Sequence, residues 1–340
     1  MVDACSSKLD LSKAYSQIPL HEESRKYTTL TSYKGLYVYN RLPFGISSAA
    51  AIFQCNMDHI FHDMPRVLCH QDDILVTEGS REKHLNNLEH KRLQEHDLTV
   101  QRKKCAFLKP SLKYLGHLID GNGIHPLQDK VEAIRAAPTP KNATQLKSFL
   151  GLVNYYQKFF PNLSDVLHFL HQLLQKGAKW SWSTSCHDLF NQVKAMISTD
   201  NVLAPYNPKL PLILACDASA YGLGAVLLHH FPDDSERPVA FASRTLSSSE
   251  RNYVQIEKEA LSIIFGFTPF HSYLHGRRFT LQTDHQPLMT ILGPKKGIPS
   301  IAAMQMQRWA TKLSAYDYDI KYRSSGEHSN ADAMSHLPRP

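Results

Sequence analysis

Two adjacent acids interrupt the stretch VLCHQDDILVT, residues 67–77, which is otherwise typical of an apolar β-strand. The apolar residues on both sides of Asp72 and Asp73, Leu68 among them, favour a place in a buried sheet. A buried carboxylate costs free energy unless a cation or hydrogen bonds compensate its charge. The pair therefore indicates either a site for a hard divalent cation or a hairpin turn with two solvated acids, and spacing alone leaves both interpretations open.

Composition and charge restrict the class of protein. The 340 residues leave room for two or three domains, and the six cysteines, none in a CxxC pair, favour reduced thiols over disulfides or a zinc site. There is no leader and no apolar run of membrane-spanning length, so we expect a soluble intracellular protein, cytoplasmic or nuclear, with no membrane partner. The net charge of +7 favours an anionic partner such as nucleic acid.

Apolar periodicity and turn signals divide the chain into three sections, residues 1–120, 121–208 and 209–336. The first mixes short strands and helices, with a helix over SSAAAIFQCNMDHIF and a strand at YLGHLID. The second contains a helix over ATQLKSFLGLVNYYQKFF. In the third, strand-like segments accompany a long helix from Ser248 to Tyr273, a pattern that predicts a mixed sheet with helices packed on it.

Acids suited to metal binding occur in two of these sections. Asp10, in the strand-like segment KLDLSKAYSQIPL, could meet Asp72 and Asp73 at a sheet edge, where three carboxylates would hold a metal pair for phosphoryl transfer.

The third section carries four more acids. Asp217 ends the apolar strand LILACD, Glu259 lies beside the apolar stripe of the long helix, and Asp284 follows the strand FTLQT. Asp332 lies in NADAMSH, near the end of the chain. Such a set suits a two-metal nuclease, in which carboxylates hold two Mg²⁺ ions and one metal activates water. Two alternatives stay open: Glu259 pairs with a neighbouring basic residue on a solvated face, and Asp332 caps a short helix.

Five segments resemble, in family order, the reverse transcriptase of gypsy-type LTR retrotransposons: LDLSKAYSQIPL, LPFGISSAAAIFQ, QDDILVT, LGHLI and LKSFLGLVNYYQKFFPNLS. The resemblance implies that Asp10, Asp72 and Asp73 are the catalytic, metal-binding aspartates of the polymerase palm. It also implies that Tyr15 is the aromatic residue beneath the nucleotide sugar, and that Phe44, in the LPFG turn, lines the incoming-nucleotide pocket.

Four further segments are similar to the retrotransposon ribonuclease H: CDASAYGLGAVL, FASRTLSSSERNYVQIEKEALSIIFG, FTLQTDHQPL and NADAMSHLP. This resemblance implies that the four acids of the third section are its catalytic, metal-binding residues, namely Asp217, Glu259, Asp284 and Asp332.

Together the resemblances imply a multidomain α+β and α/β fold. They imply a reverse transcriptase palm with partial fingers over residues 1–120, a thumb and connection region over 121–208, and a ribonuclease H-like mixed sheet with helices over 209–336. The implied cofactor is Mg²⁺ or Mn²⁺, two ions per active site. The implied partners are an RNA–DNA hybrid, a template–primer and, for an active polymerase, deoxynucleoside triphosphates.

Three departures from the family pattern concern the polymerase half. His70 stands where the family has a primer-facing tyrosine, and the chain begins nine residues before Asp10, so we expect the N-terminal part of the fingers to be missing. The leucines at positions 85, 88, 93 and 98 do not keep one helical face, and two more residues after Glu89 would restore it, which predicts a two-residue deletion. We therefore expect ribonuclease H activity to survive better than polymerase activity. The alternative is a catalytically inactive, repurposed nucleic-acid-binding module.

Overall fold

The computed structural model describes residues 5–78, 80–89, 92–161, 163–198, 201–293 and 304–323. The chain divides into two compact units, Met1–Asn122 and Gly123–Pro340. Within the described ranges, every helix is too short or too polar to span a bilayer.

The described part of the first unit alternates short strands and helices. Its strands are β1 (Cys5–Asp10), β2 (Leu30–Ser32), β3 (Gly35–Tyr37), β4 (Val67–His70), β5 (Asp73–Glu78), β6 (Ala106–Lys109), β7 (Ser111–Tyr114) and β8 (His117–Asp120). Its helices are α1 (Glu22–Arg25), α2 (Ala49–Phe61), α3 (Arg81–Glu89) and α4 (Arg92–Glu95).

Four of these strands form one antiparallel sheet in the order β4-β5-β1-β6. Helix α2, predicted from the sequence, buries Phe53 and Met57 in one core with Ile74 of β5. Leu68 of β4 is 60% exposed, so the prediction that a buried sheet lies on both sides of the acid pair is wrong for β4. The reason is topological, because β4 is the edge strand and has a neighbouring strand on one side only.

The segment YLGHLID is a hairpin turn and not the single strand that its composition predicts. Leu115 and Gly116 have positive φ angles of 42° and 70°, which reverse the chain between β7 and β8. A two-residue turn with positive φ at both positions matches the right-handed twist of the flanking strands. Because Leu115 is apolar, the composition of this segment does not indicate a turn.

Helices α3 and α4 contain Leu85, Leu88 and Leu93 of the leucine pattern that does not keep one helical face. His90 and Lys91, beside the predicted deletion, lie outside the described residues. Helix α3 is anchored to β1, since Oγ of Ser7 lies 2.7 Å from Nε2 of His84 and both residues are fully buried.

The described part of the second unit contains helices followed by a larger sheet. Its strands are β9 (Ile124–Pro126), β10 (Leu212–Ala218), β11 (Gly222–His230), β12 (Glu236–Thr245), β13 (Arg278–Thr283) and β14 (Asp317–Tyr322). Its helices are α5 (Gln128–Arg135), α6 (Ala143–Tyr155), α7 (Leu163–Gln172), α8 (Thr184–Ile197), α9 (Gln255–Phe267), α10 (His271–Leu274), α11 (Gln286–Ile291) and α12 (Met304–Leu313).

Five strands form a mixed sheet in the order β12-β11-β10-β13-β14. The pairs β10–β11 and β11–β12 are antiparallel, whereas β10–β13 and β13–β14 are parallel. The sequence predicts the mixed sheet but misses β14, whose residues DYDIKY include as many charged as apolar side chains. Its position at the sheet edge explains this polarity.

Helix α9 packs against the centre of this sheet. It is shorter than the predicted helix. Of the apolar stripe that the sequence predicts, Ala260, Ile263 and Phe267 are buried, whereas Ile256 and Tyr253, which precedes the helix, are only half-buried. A Cβ atom at Gly266 would lie 2.7 Å from Sγ of Cys216, so glycine is what allows the helix to approach β10 this closely. The close packing fixes the position of α9 relative to the end of β10.

Candidate active sites

Three acids of the second unit meet at one edge of the mixed sheet. We call Asp217, Glu259 and Asp284 the second-unit acids; one carboxylate oxygen from each lies within 4.8 Å of the others. In the parallel pair β10–β13, Ala215 lies beside Gln282, so two further residues along each strand bring Asp217 and Asp284 to the same edge. Glu259 reaches this edge from α9.

The electrostatics of Glu259 reflect this crowding. The residue is only 5% exposed, and its burial, together with the negative charges of Asp217 and Asp284, raises its pKa to about 8. Gln255 donates a hydrogen bond to Oε1 of Glu259. Among the described residues, no group forms a hydrogen bond with the buried Oε2.

This donor set fits a divalent cation. Carboxylate oxygens are the ligands that Mg²⁺ and Mn²⁺ prefer, and a cation would relieve both the mutual repulsion and the unsatisfied oxygen. The structure brings together three of the four acids that the sequence singles out in this half. The burial of Glu259 excludes the alternative of a solvated ion pair. Asp332 lies outside the described residues.

The acids of the first unit, Asp10, Asp72 and Asp73, are arranged differently; we call them the first-unit acids. Asp72 follows Gln71 in the β4–β5 hairpin turn and is exposed, and its carbonyl oxygen accepts a hydrogen bond from the N–H of Leu11. Asp10 is buried and pairs with Asp73 across β1 and β5. The backbone therefore brings all three close together at one end of the sheet.

Two lysines lie beside these carboxylates. Nζ of Lys8 is 2.8 Å from Oδ1 of Asp73, and Nζ of Lys104 is 3.5 Å from Oδ1 of Asp10. In the part of the chain that the structure describes, the first-unit acids do not bring one oxygen each within 4.8 Å of one another. As they lie, they do not form a ligand set for a metal pair.

The two nucleotide-pocket residues predicted from the resemblance lie in one aromatic group. The ring of Tyr15 lies 5.1 Å from that of Phe44 and 5.3 Å from that of Phe53, and Phe44 is 69% exposed. The Tyr15 hydroxyl donates a 2.9 Å hydrogen bond to Gln71, the residue before Asp72. Tyr15 is thus connected directly to the acid hairpin.

Sequence reasoning missed the two glutamines that hold this hairpin. Gln54 of α2 accepts a hydrogen bond from the N–H of Gln71 and donates one to the carbonyl of Cys69. Gln71 has a positive φ of 54°, a strained conformation for a residue with a side chain, and these contacts stabilise it. His70, the departure from the family pattern, is exposed on the edge strand opposite Asp73.

Comparison with known families finds one match in each unit of the chain. Residues 3–119 match the reverse transcriptase (RNA-dependent DNA polymerase) family, and residues 182–281 match the RNase H-like domain found in reverse transcriptase. The chain carries a reverse transcriptase domain and an RNase H-like domain. The first match includes all the first-unit acids, and the second includes Asp217 and Glu259 and ends three residues before Asp284.

Relatives of both domains are Pol polyproteins of transposons. The chain is 36% identical over 334 residues to the retrovirus-related Pol polyprotein from transposon 297 of Drosophila melanogaster, and 30% identical over 337 residues to the transposon Tf2-3 polyprotein of Schizosaccharomyces pombe. Each match covers 97% of this chain. The chain spans 31% of the length of the first relative and 25% of the second.

Solved structures confirm the predicted fold of a reverse transcriptase palm and a ribonuclease H-like mixed sheet. The foamy viral protease-reverse transcriptase in complex with an RNA/DNA hybrid is 21% identical, with a TM-score of 0.81 over 99% of this chain and 45% of that protein. A dRH form of the same viral protein in complex with double-stranded DNA also has a TM-score of 0.81 and 21% identity, over 99% of this chain and 58% of that protein.

Proposed function

We propose that this chain is part of the Pol polyprotein of a gypsy-type LTR retrotransposon and that its RNase H-like domain cleaves the RNA strand of an RNA–DNA hybrid. The observation that carries the proposal is the gathering of Asp217, Glu259 and Asp284, with a buried oxygen of Glu259 that has no hydrogen-bond partner among the described residues. The raised pKa of Glu259 supports it, since strongly shifted acids are characteristic of functional sites.

The second-unit acids would hold the divalent cations, two Mg²⁺ or Mn²⁺ ions, with Asp332 as the fourth ligand. Such ions, when bound, stabilise the charge of the phosphoryl transition state and activate a water molecule. Glu259 must lose its proton before it can act as a ligand at neutral pH, because its pKa is raised to about 8. Gln255 donates a hydrogen bond to Oε1 of Glu259, so Oε2 is the oxygen that would bind a cation.

The proposed nucleic-acid partner is a hybrid duplex. The foamy viral enzyme of the same fold was solved with an RNA/DNA hybrid, and the net charge of +7 favours binding to phosphates. Within the chain we assign residues 1–120 to the palm with partial fingers, 121–208 to the thumb and connection, and 209–336 to the RNase H-like domain.

We assign primer extension from a template–primer and deoxynucleoside triphosphates to the first unit as a reduced activity. Asp10, Asp72 and Asp73 are the proposed catalytic residues, with Tyr15 and Phe44 at the nucleotide. The lysines beside Asp10 and Asp73 argue against an assembled metal pair in the free chain, so we derive no catalytic step there.

The test of the nuclease proposal is the change Asp217→Asn, which keeps the volume of the side chain and removes a ligand charge. We expect the unmodified chain to cleave the RNA strand of a hybrid with Mg²⁺ or Mn²⁺, and the variant to lose at least about a hundredfold in rate, as in sites where charge stabilisation dominates. Asp234→Asn is the matched control, since Asp234 is an exposed loop residue of the same unit.

Equal cleavage by Asp217→Asn and the unmodified chain would contradict the assignment. Hybrid binding by the unmodified chain without any cleavage would instead favour the inactive binding module.

A further inference from the structure

We propose that Gln255 makes the second-unit acids selective for Mg²⁺ or Mn²⁺ over Ca²⁺, because its amide occupies one of the two carboxylate oxygens of Glu259. The inference rests on the proposed function and adds to it the choice of cation. It concerns how many oxygens Glu259 can offer, and not whether the acids bind a cation at all.

The side chain of Gln255 bridges a helix and a strand. Gln255 is the first residue of α9, and Glu259 lies four residues later, one turn along the same face. Its Nε2 donates one hydrogen bond to Oε1 of Glu259 and a second, of 3.3 Å, to the carbonyl oxygen of Ala218 at the end of β10. The amide is therefore held from the strand as well as from the helix.

The chemistry of the two partners fixes the orientation of this amide. A backbone carbonyl can only accept hydrogen bonds, and so can a carboxylate, the form in which Glu259 would bind a cation. Only the NH₂ end of the glutamine can therefore contact both, since the opposite orientation would place the amide oxygen against two other oxygens. Gln255 is thus a donor toward Glu259.

The amide leaves Glu259 with one oxygen for a cation. Oε1 accepts from Gln255, whereas the buried Oε2 has no hydrogen-bond partner among the described residues. Ca²⁺ takes about six to eight oxygen ligands in a flexible geometry and can use both oxygens of one carboxylate, whereas Mg²⁺ requires a near-octahedral set. Mn²⁺ also takes octahedral oxygen ligands. A carboxylate restricted to one oxygen therefore removes a ligand that Ca²⁺ would use and none that Mg²⁺ or Mn²⁺ needs.

The backbone around Glu259 has little freedom to compensate. A Cβ atom at Gly266 would lie 2.7 Å from Sγ of Cys216, so α9 lies closer to β10 than a larger residue would allow. The hydroxyl of Ser262, which is fully buried, donates a 2.7 Å hydrogen bond to the carbonyl oxygen of Glu259. The side chain of Glu259 would have to rotate to present both oxygens, and that rotation would break its bond with Gln255.

The test compares Mn²⁺ and Ca²⁺ binding by isothermal titration of the full chain, counting only the binding that Asp217→Asn abolishes. We expect the unmodified chain to prefer Mn²⁺. In Gln255→Leu, which removes the donor, we expect the ratio of Ca²⁺ to Mn²⁺ affinity to rise about tenfold, the lower end of what residues behind a metal ligand contribute to affinity. Gln255→Lys retains a donor, and its charge acts alike on two divalent ions, so its ratio should stay close to that of the unmodified chain.

Gln286→Leu is the matched control, because Gln286 is likewise the exposed first residue of a helix, α11, and we expect it to leave the ratio unchanged. An unchanged ratio in Gln255→Leu, whether or not both affinities fall, would show a purely structural role and overturn the inference. So would a rise of the same size in Gln255→Lys, or an unmodified chain with no preference for Mn²⁺. If the leucine variant does not fold, Gln255→Ala, which also removes the donor, decides.

The two proposals fail separately. Asp217-dependent Mn²⁺ binding without hybrid cleavage contradicts the nuclease proposal, and the affinity ratios still decide the role of Gln255. Hybrid cleavage with an unchanged ratio in Gln255→Leu supports the nuclease and overturns the selectivity. Absence of any Asp217-dependent binding of either cation overturns both, because there is then no site whose cation could be selected.

Discussion

The two sets of acids differ in what surrounds them more than in how the backbone presents them. In both, neighbouring strands bring aspartates to one end of a sheet. Glu259 then lies beside two like charges, which help to raise its pKa to about 8. Asp10 and Asp73 lie beside the ammonium groups of Lys104 and Lys8 instead.

This difference changes what a cation does on binding. At the second-unit acids a cation replaces the proton that the two neighbouring carboxylates help Glu259 to hold at neutral pH, and no lysine of the described residues has to be displaced. At the first-unit acids a cation must displace Lys8, which already compensates the charge of Asp73, whereas Lys104 lies 3.5 Å from Asp10 and forms no hydrogen bond with its Oδ1. A backbone that gathers acids therefore does not by itself make a metal site; the neighbouring side chains determine whether the charge is still uncompensated.

The largest expected effect compares the two activities of the unmodified chain. We expect RNA cleavage in a hybrid, and primer extension on an RNA template that is weak or absent, about a hundredfold slower or more. Misplacement of a primer end or triphosphate by about 1 Å has this effect on rate. Both rates are measured on one preparation with Mg²⁺ and with Mn²⁺.

His70→Tyr checks the cause of the slow extension. We expect it to rescue little, since the lysine contacts of Asp10 and Asp73 remain. Efficient extension by the unmodified chain would remove the contrast between the two sites.

The second prediction concerns the stability of the metal-free chain. The pKa of Glu259 is about 8 in the folded chain and about 4.5 in the unfolded chain, so unfolding releases a proton between these pH values. The free energy of unfolding therefore falls as the pH rises from about 4.5 to 8 and stays low above pH 8. Glu259→Gln mimics the protonated acid and should stabilise the metal-free chain by up to about 5 kcal/mol at pH 9 and hardly at pH 4.5, since each tenfold change in proton affinity is worth about 1.4 kcal/mol. Denaturant unfolding in a chelator measures this.

Two further variants sharpen this result. Glu257→Gln on the same helix is the control, because glutamine can still accept the hydrogen bond from the N–H of Val254. Asp73→Asn should instead lower the free energy of unfolding, by less than about 1 kcal/mol, because it removes a partly exposed ion pair with Lys8. A Glu259→Gln variant that is less stable at pH 9 would contradict the electrostatic account.

The smallest expected effect is on metal binding by the first-unit acids. In an Asp217→Asn background, Lys8→Met removes the ammonium group 2.8 Å from Asp73, and we expect Mn²⁺ affinity at the remaining site to rise about threefold to tenfold. Isothermal titration measures the change, and Lys103→Met, which removes an exposed lysine beside Lys104, is the control. Equal affinities in the two variants would mean that Lys8 does not compete with the cation.

Much of the fold, and the acids of each site but not their surroundings, can be predicted from local sequence. The mixed sheet, the stripe of α9 and helix α2 are predicted by apolar period, because burial on one face sets that period directly. The exposed edge strand β4, the turn at Leu115 and strand β14 are missed. Each of these features depends on which strands are neighbours in the sheet, and the period of apolar residues carries no information about neighbouring strands.

The sequence by itself determined that Asp217 ends a strand, that Glu259 lies beside an apolar helical stripe and that Asp72 and Asp73 follow an apolar segment. Each of these features depends only on residues within a few positions along the sequence. Only the tertiary structure decided that Glu259 is buried against two acids and that Lys8 compensates Asp73. The physical reason is that charge compensation and burial depend on side chains brought together from distant positions, and local pattern carries no record of those contacts.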